Sequence, residues 1–218
     1  TGCLFEVENE SIYVVAVDGY RLALRHEAIH KKEGAPEFSF VVPGAALSEV
    51  EKICSDVDES ASVTQGARHV MFKVGDTMLV SRRLEGEFLA YRQAIPRNNT
   101  IHVVGETRAL LSSIDRVSLI ISDKLKSPLR CVFENGVLKI ATKTAIGDAY
   151  DECPIDGDGE GLEIGFNNKY LMDALKAAPA DKVRLELTTG VSPCVILPTE
   201  GEENFLYMVL PVRLRAGE

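Results

Sequence analysis

Phe38-Ser39-Phe40-Val41-Val42-Pro43-Gly44-Ala45-Ala46-Leu47-Ser48-Glu49-Val50-Glu51-Lys52-Ile53-Cys54 changes hydrophobic period in its middle. Phe38 to Val42 is rich in aromatic and β-branched residues, which suits a strand. Pro43 closes that strand and fits the first turn of a helix. Beyond it Ala46, Leu47, Val50, Ile53 and Cys54 recur at threes and fours, so the predicted helix has one apolar face. The same order returns in the second half. Leu162-Glu163-Ile164-Gly165-Phe166-Asn167 reads as a strand, and Asn168 to Ala177 as a helix carrying Tyr170, Leu171, Ala174 and Leu175.

The segments on either side carry the same plan outward. Leu4–Val7 and Ser11–Val17 read as strands around the polar Glu8-Asn9-Glu10 turn, and Tyr20–Arg25 resumes extended character after Asp18-Gly19. Downstream of the first helix, strands are expected at Ser62–Gln65, His69–Val74 and Thr77–Arg82, the last two joined through Gly75-Asp76. A polar, Pro- and Gly-punctuated crossing over residues 84–100 sets a domain boundary near 98, giving domains 1–98 and 99–218. The second domain is expected to open with a strand at Ile101–Val104 and a helix over Glu106–Ile121, with Leu110, Leu111, Ile114, Val117, Ser118 and Ile121 on one side. Strands follow at Arg130–Glu134, Val137–Lys143, Asp148–Pro154 and Glu163–Phe166, then at Val183–Leu187, Cys194–Leu197 and Phe205–Leu210 after the last helix. The class is α+β, with domains of helices packed on small antiparallel sheets, and the element order looks duplicated. The first half lacks a counterpart of helix 106–121. The chain also begins without Met inside a strand pattern, so it reads as a piece of a longer protein.

Composition narrows the function classes. The 218 residues are 45% hydrophobic and 26% charged, which excludes wholesale disorder, collagen and coiled coil. No apolar run approaches the roughly 18–20 residues of a membrane helix, and the cysteine usage suits a cytosolic protein. The net charge of −9 excludes nucleic-acid affinity from overall charge, so any such surface must be local. Five widely spaced cysteines, with no C-x-x-C, read as buried reduced thiols rather than zinc ligands.

No motif for catalysis stands out. There is no phosphate loop, dinucleotide fingerprint, nucleophile elbow or zinc-binding histidine pair. Asp156-Gly157-Asp158-Gly159-Glu160-Gly161 mimics the start of a calcium loop, but the twelfth position is Asn167, so it reads as a solvated turn. Asp148 and Glu152 share one face of an extended segment and Asp151 the other, with no nucleophile to serve. Neither a cofactor nor a metal is expected. Two stretches suit a binding surface instead. Asp18-Gly19-Tyr20-Arg21-Leu22 puts Tyr and Arg at a strand start, and Tyr207-Met208-Val209-Leu210-Pro211-Val212-Arg213-Leu214 is a closing strand broken by Pro.

Five stretches then occur in one order: Val15-Ala16-Val17-Asp18-Gly19-Tyr20-Arg21-Leu22-Ala23, Val41-Val42-Pro43, Gly86-Glu87-Phe88-Leu89-Ala90-Tyr91-Arg92, Glu163-Ile164-Gly165-Phe166-Asn167 and Val209-Leu210-Pro211-Val212-Arg213-Leu214. Together they resemble the bacterial DNA polymerase III beta subunit, the replicative sliding clamp, over essentially the whole chain. The resemblance implies a DNA-clamp fold of repeated domains in a head-to-tail homodimeric ring. It implies a non-catalytic processivity factor that encircles duplex DNA. Residues 1–98 would then be most of the middle domain, lacking its first strand and helix, and 99–218 the C-terminal domain. It further implies a hydrophobic groove that receives short linear peptides from the polymerase III catalytic subunit, the clamp loader and repair polymerases.

Carried over by position, the groove would comprise Val17, Gly19, Tyr20, Arg21 and Leu22; Leu89, Gln93 and Ala94; Asn167, Tyr170, Val191 and Pro193; and Met208, Val209, Leu210, Pro211, Val212, Arg213 and Leu214. Leu89, Gln93 and Pro193 depart from the commonest residues of the family. The DNA-facing residues would be Lys52, Arg108, Arg116, Lys169 and Lys176, fewer than the family often has, since Gly44 and Ala45 follow Pro43. The ring-closing interface would fall on Leu119-Ile120-Ile121-Ser122-Asp123-Lys124, with Ile120 and Ile121 as its apolar residues. Without a first domain the chain is expected to be monomeric and to bind DNA negligibly. Two other readings stay open on residues alone: an unrelated two-domain peptide adaptor, and a metal-dependent hydrolase using the 148–160 carboxylates.

Overall fold

The computed structural model describes residues 2–31, 33–34, 36–55, 58–122, 127–201 and 203–214. Two compact units emerge, Thr1–Asp18 with Leu24–Tyr91, and Gly19–Ala23 with Arg92–Glu218. The class is α+β, with antiparallel sheets.

The first unit starts with a hairpin of β1 (Gly2–Glu8) and β2 (Ser11–Val17). Its turn residues Asn9 and Glu10 both have positive φ, 48° and 61°, a conformation that matches strand twist. β3 (Arg21–Ala28) and β4 (Phe38–Pro43) complete the order β4-β1-β2-β3. Helix α1 (Gly44–Cys54) follows Pro43 directly, and β5 (Ser62–Gln65), β6 (His69–Val74) and β7 (Thr77–Arg82) form a three-stranded meander. The core is aromatic. Phe5 stacks on Phe40 at 5.4 Å and meets the edge of Phe72 at 6.0 Å, and Ala46, Leu47 and Val50 of α1 pack against this cluster.

A four-residue helix, α2 (Tyr91–Ala94), falls in the stretch that composition marks as an irregular crossing. The second unit continues with β8 (Ile101–Glu106), α3 (Thr107–Ser118), β9 (Leu129–Glu134), β10 (Val137–Thr144), β11 (Gly147–Pro154) and β12 (Leu162–Phe166). Then come α4 (Asn168–Ala177), β13 (Lys182–Leu187), β14 (Cys194–Pro198) and β15 (Phe205–Val209). Its strands form the orders β11-β10-β9-β12 and β15-β14-β13-β8. Both helices cover one core, in which Leu110, Ile114, Phe133, Phe166, Leu171 and Leu175 are buried.

The duplication is visible strand by strand. β4-β1-β2-β3, α1 and β5-β6-β7 of the first unit match β12-β9-β10-β11, α4 and β13-β14-β15 of the second. Among the described residues β8 and α3 have no counterpart in the first unit. α3 is shorter than its apolar period predicts. Leu119 and Ile121 donate to the carbonyls of Arg116 and Ser118, so the chain tightens into three-residue bonds and leaves the helix after Ser118.

The Asp156–Gly161 stretch is solvated as expected, with Gly159 the one buried residue of the six, and it is also anchored as a strap. The Asp156 backbone exchanges two hydrogen bonds with Val104, each 2.8 Å, and so closes the outer edge of β8. Gly159 is buried, and a Cβ there would lie 1.9 Å from Phe133 Cβ. Asp158 accepts from the Glu160 amide at 2.7 Å. Among the described residues no cluster of three or more His, Cys, Asp or Glu is placed to hold a metal. Nor is any described helix long and apolar enough to cross a membrane.

The strap generates a stability test. Gly159→Ala is expected to lower unfolding stability by about 1–3 kcal/mol through overpacking against Phe133, read as a lower urea midpoint. An unchanged midpoint would show that the strap is not packed as described.

Candidate functional site

Residues Gly19–Ala23 belong to the second unit although they lie near the start of the chain. Their place is set by backbone. The Leu210 amide donates to the Tyr20 carbonyl at 2.9 Å. Two residues on, the Val212 amide donates to the Gly165 carbonyl at 2.8 Å. A Cβ at Gly165 would stand 2.4 Å from the Val212 carbonyl oxygen and 2.8 Å from Leu214 Cδ2, so glycine permits this approach. Pro211 sits between the two bonded amides and, having none of its own, loses nothing there.

Helix α4 supplies the facing wall. Asn167 caps it, its Oδ1 accepting from the amides of Lys169 at 3.0 Å and Tyr170 at 3.3 Å. Tyr170 is thereby held one turn in, where it stacks on Tyr20 with ring centroids 5.8 Å apart. The Arg21 guanidinium carbon lies 4.5 Å from the Tyr170 ring centroid. Arg21 Nη1 donates to Asp173 Oδ2 at 2.7 Å. Sequence reasoning missed Asp173. Its only signal is a position three residues after Tyr170, and its partner is 152 residues away in the chain.

A turn ending β13 adds Val191. Thr189 and Ser192 hydroxyls bond at 2.7 Å, and the Ser192 amide donates to the Thr189 carbonyl. Gly190 comes so close to the Glu163 carbonyl that a Cβ would lie 2.3 Å from it. Val191 is left 75% exposed and Tyr20 61% exposed. Val212 and Arg213 are exposed, while Leu210, Pro211, Leu214, Asn167 and Pro193 are half-buried. The result is an aromatic and aliphatic surface with the Arg21–Asp173 ion pair at its margin and the exposed Arg213 on the closing segment.

Not every predicted residue contributes surface. Leu22, Met208 and Val209 are buried, at 2%, 6% and 1% exposure. Gln93 and Ala94 are exposed on α2, and Gly19 is exposed in its turn. Val17 and Leu89 belong to the first unit, the former half-buried and the latter 56% exposed.

The cationic residues singled out lie on helix surfaces. Lys52 Nζ is bound to Glu49 Oε1 at 2.8 Å, which raises its pKa. Arg116 Nε donates to Asp151 Oδ2 at 2.8 Å. Arg108, Lys169 and Lys176 are exposed on α3 and α4. Ile120 and Ile121 are half-buried just past α3, and Ile121 packs against the core. Leu119 beside them is 79% exposed, whereas Asp123 and Lys124 lie outside the described residues.

Asp151 of β11 is poorly suited to act as a general acid. Burial favours the protonated form of Asp151, but the hydrogen bonds it accepts, Arg116 among the donors, outweigh this and hold it below the usual carboxylate range. A general acid needs the opposite shift. The buried thiols Cys131 and Cys194 are held in the protonated form. Burial pushes Cys131 up to about 12 and raises Cys194 as well.

Comparison with known proteins bears on the whole chain. The family model described as DNA polymerase III beta subunit, central domain, matches residues 1–89; that of the DNA polymerase III beta subunit, C-terminal domain, matches residues 92–213. A beta sliding clamp of Synechocystis sp. is 32% identical over 234 residues, 98% of this chain and 58% of the relative. A solved putative DNA polymerase III beta subunit from Eubacterium rectale is 32% identical with a TM-score of 0.90, covering 97% of this chain and 57% of that one. A Pseudomonas aeruginosa sliding clamp, solved bound to griselimycin, is 27% identical with a TM-score of 0.90, covering 98% and 57%. The chain thus spans a little over half the length of the relatives it matches.

The cap of α4 can be tested by itself. Asn167→Ala is expected to cost about 1 kcal/mol of unfolding stability, and Asn167→Asp to retain most of it, because either Asn or Asp accepts from the first-turn amides. Equal stability of all three proteins in urea would contradict the capping role.

Proposed function

The chain belongs to the DNA polymerase III beta subunit family, the sliding clamps, and on that footing we propose that it is the peptide-binding part of a replicative clamp. In this reading residues 1–98 correspond to the middle domain and 99–218 to the C-terminal domain. The whole protein is a homodimeric ring that encircles duplex DNA in the cytoplasm. It tethers the polymerase III catalytic subunit, the clamp loader and repair polymerases through short linear peptides, and it catalyses nothing.

The observation that carries this reading is the convergence of Gly19–Leu22, Asn167–Asp173 and Leu210–Leu214 on one surface of the second unit. Tyr20, Tyr170, Val191 and Val212 offer apolar contact, and Arg21 and Asn167 offer polar contact, the mix that suits capture of a short amphipathic segment. The buried Leu22, Met208 and Val209 serve as the floor beneath it.

The duplication supports the ring. The strand of the second unit that matches β3 is β11, an outer strand of its sheet, with Tyr150 exposed by 58% and Ile146, in the turn before it, by 75%. The counterpart of β15 in the first unit is β7, likewise an outer strand, with Met78 and Val80 exposed by 55% and 60%. Two sheet edges, one of each kind, suit head-to-tail continuation into other clamp domains, and Ile120 and Ile121 are assigned to the same ring-closing contact. The exposed Arg108, Lys169 and Lys176 provide sequence-independent phosphate contact along the pore, with Lys52 and Arg116 shared with their carboxylate partners.

The test is fluorescence polarisation of a labelled peptide carrying Gln followed by spaced Leu and Phe. Saturable binding is expected, weakened at least tenfold in the double variant Arg21→Ala, Met208→Ala, about 1.4 kcal/mol or more. Equal affinity of the double variant would contradict the groove. The chain alone is expected to sediment as a monomer and to leave duplex DNA unbound at micromolar concentration and physiological salt. A dimer, or micromolar DNA binding, would contradict the assignment of ring closure to a further domain.

A further inference from the structure

Arg21 is held on two sides by a single turn of α4. Tyr170 lies beneath its guanidinium and Asp173, three residues on, accepts from Nη1 at 2.7 Å. Both side chains remain open to solvent, Arg21 at 37% and Asp173 at 56%. An ion pair this exposed adds little to folding stability, so its consequence lies in the field it sets at the site. The pair is neutral, and it stands beside the exposed ring of Tyr20 on a chain whose net charge is −9.

We propose that Asp173 sets the charge preference of the groove. This rests on the groove reading above. By pairing with Arg21, Asp173 offsets the cation that lies over Tyr170, and its carboxylate competes with any acidic side chain a bound peptide brings near that guanidinium. Ligands are therefore selected by their apolar anchors rather than by charge. Without Asp173 the same surface becomes selective for peptides carrying Asp or Glu beside those anchors. Asp173 is a specificity-determining residue that acts through Arg21, and the cation–π contact with Tyr170 keeps Arg21 at the site when the carboxylate is gone.

The test uses two labelled peptides with identical Leu and Phe anchors, one bearing Asp and the other Asn at the flanking positions. Their affinities are compared for the natural chain, Asp173→Asn and Asp173→Glu, at low and high ionic strength. In Asp173→Asn the ratio of acidic to neutral affinity is expected to rise roughly two- to fivefold at low ionic strength and to fall back at high ionic strength. Asp173→Glu is expected to restore the original ratio. An unchanged ratio with both peptides still bound would overturn the inference and leave the groove intact. So would an equal rise in Asp115→Asn, an exposed acid on α3. If the natural chain binds neither peptide, the groove reading itself fails and this inference with it.

Discussion

Two backbone hydrogen bonds hold the site together, Leu210 to Tyr20 and Val212 to Gly165. They bring the last described residues onto a turn near the start of the chain and onto the strand that precedes α4. Backbone groups at a sheet edge must find partners, so this pairing satisfies the fold and positions the site in one stroke. The side chains then follow. Tyr20 is carried to Tyr170, Arg21 to Asp173, and Val212 and Leu214 lie across Gly165. A side chain at residue 165 would push the closing segment away, which makes one missing Cβ a condition of the whole surface.

The same economy appears in the duplicated plan. Each unit presents a four-stranded sheet, a helix and a meander, and each copy has edges that need cover. β8 is covered by the strap through Asp156, and the strap can lie there because Gly157 and Gly159 allow backbone to approach His102 and Phe133. β7 and β11 keep exposed apolar side chains at their outer positions. In a monomeric module such edges invite association; in the clamp reading proposed above they are where a next domain would attach.

Much of this was legible in the residues. β5, β6 and β7 match the reading residue for residue, because alternation and the Gly75-Asp76 turn are local signals. So does α4, where Asn167 marks the start and the apolar period the length. The overrun of α3 arose because Leu119 to Ile121 continue the apolar pattern after the backbone has already tightened. α2 is too short for periodicity to register. The solvated character of the strap follows from its Asp and Gly residues, but its anchoring does not, because only the position of Phe133 decides that Gly159 is buried. In the site, Tyr20, Arg21, Tyr170 and Val212 follow from the family resemblance, yet exposure does not: Met208 looks like a wall in sequence and is buried. Asp173 was beyond reach, since an acid on an exposed helix face acquires meaning only from the distant residue it meets.

The central claim, that Gly19–Leu22, α4 and the closing segment form one peptide-binding surface, is tested most directly by amide chemical-shift mapping of the isotope-labelled chain during titration with the Gln-, Leu- and Phe-containing peptide. The account predicts shifts concentrated at Tyr20, Arg21, Tyr170, Val191 and Val212, with the outer edges of β7 and β11 silent. Shifts centred on Met78 and Val80 or on Ile146 and Tyr150, with the Tyr20 and Tyr170 amides unmoved, would contradict it.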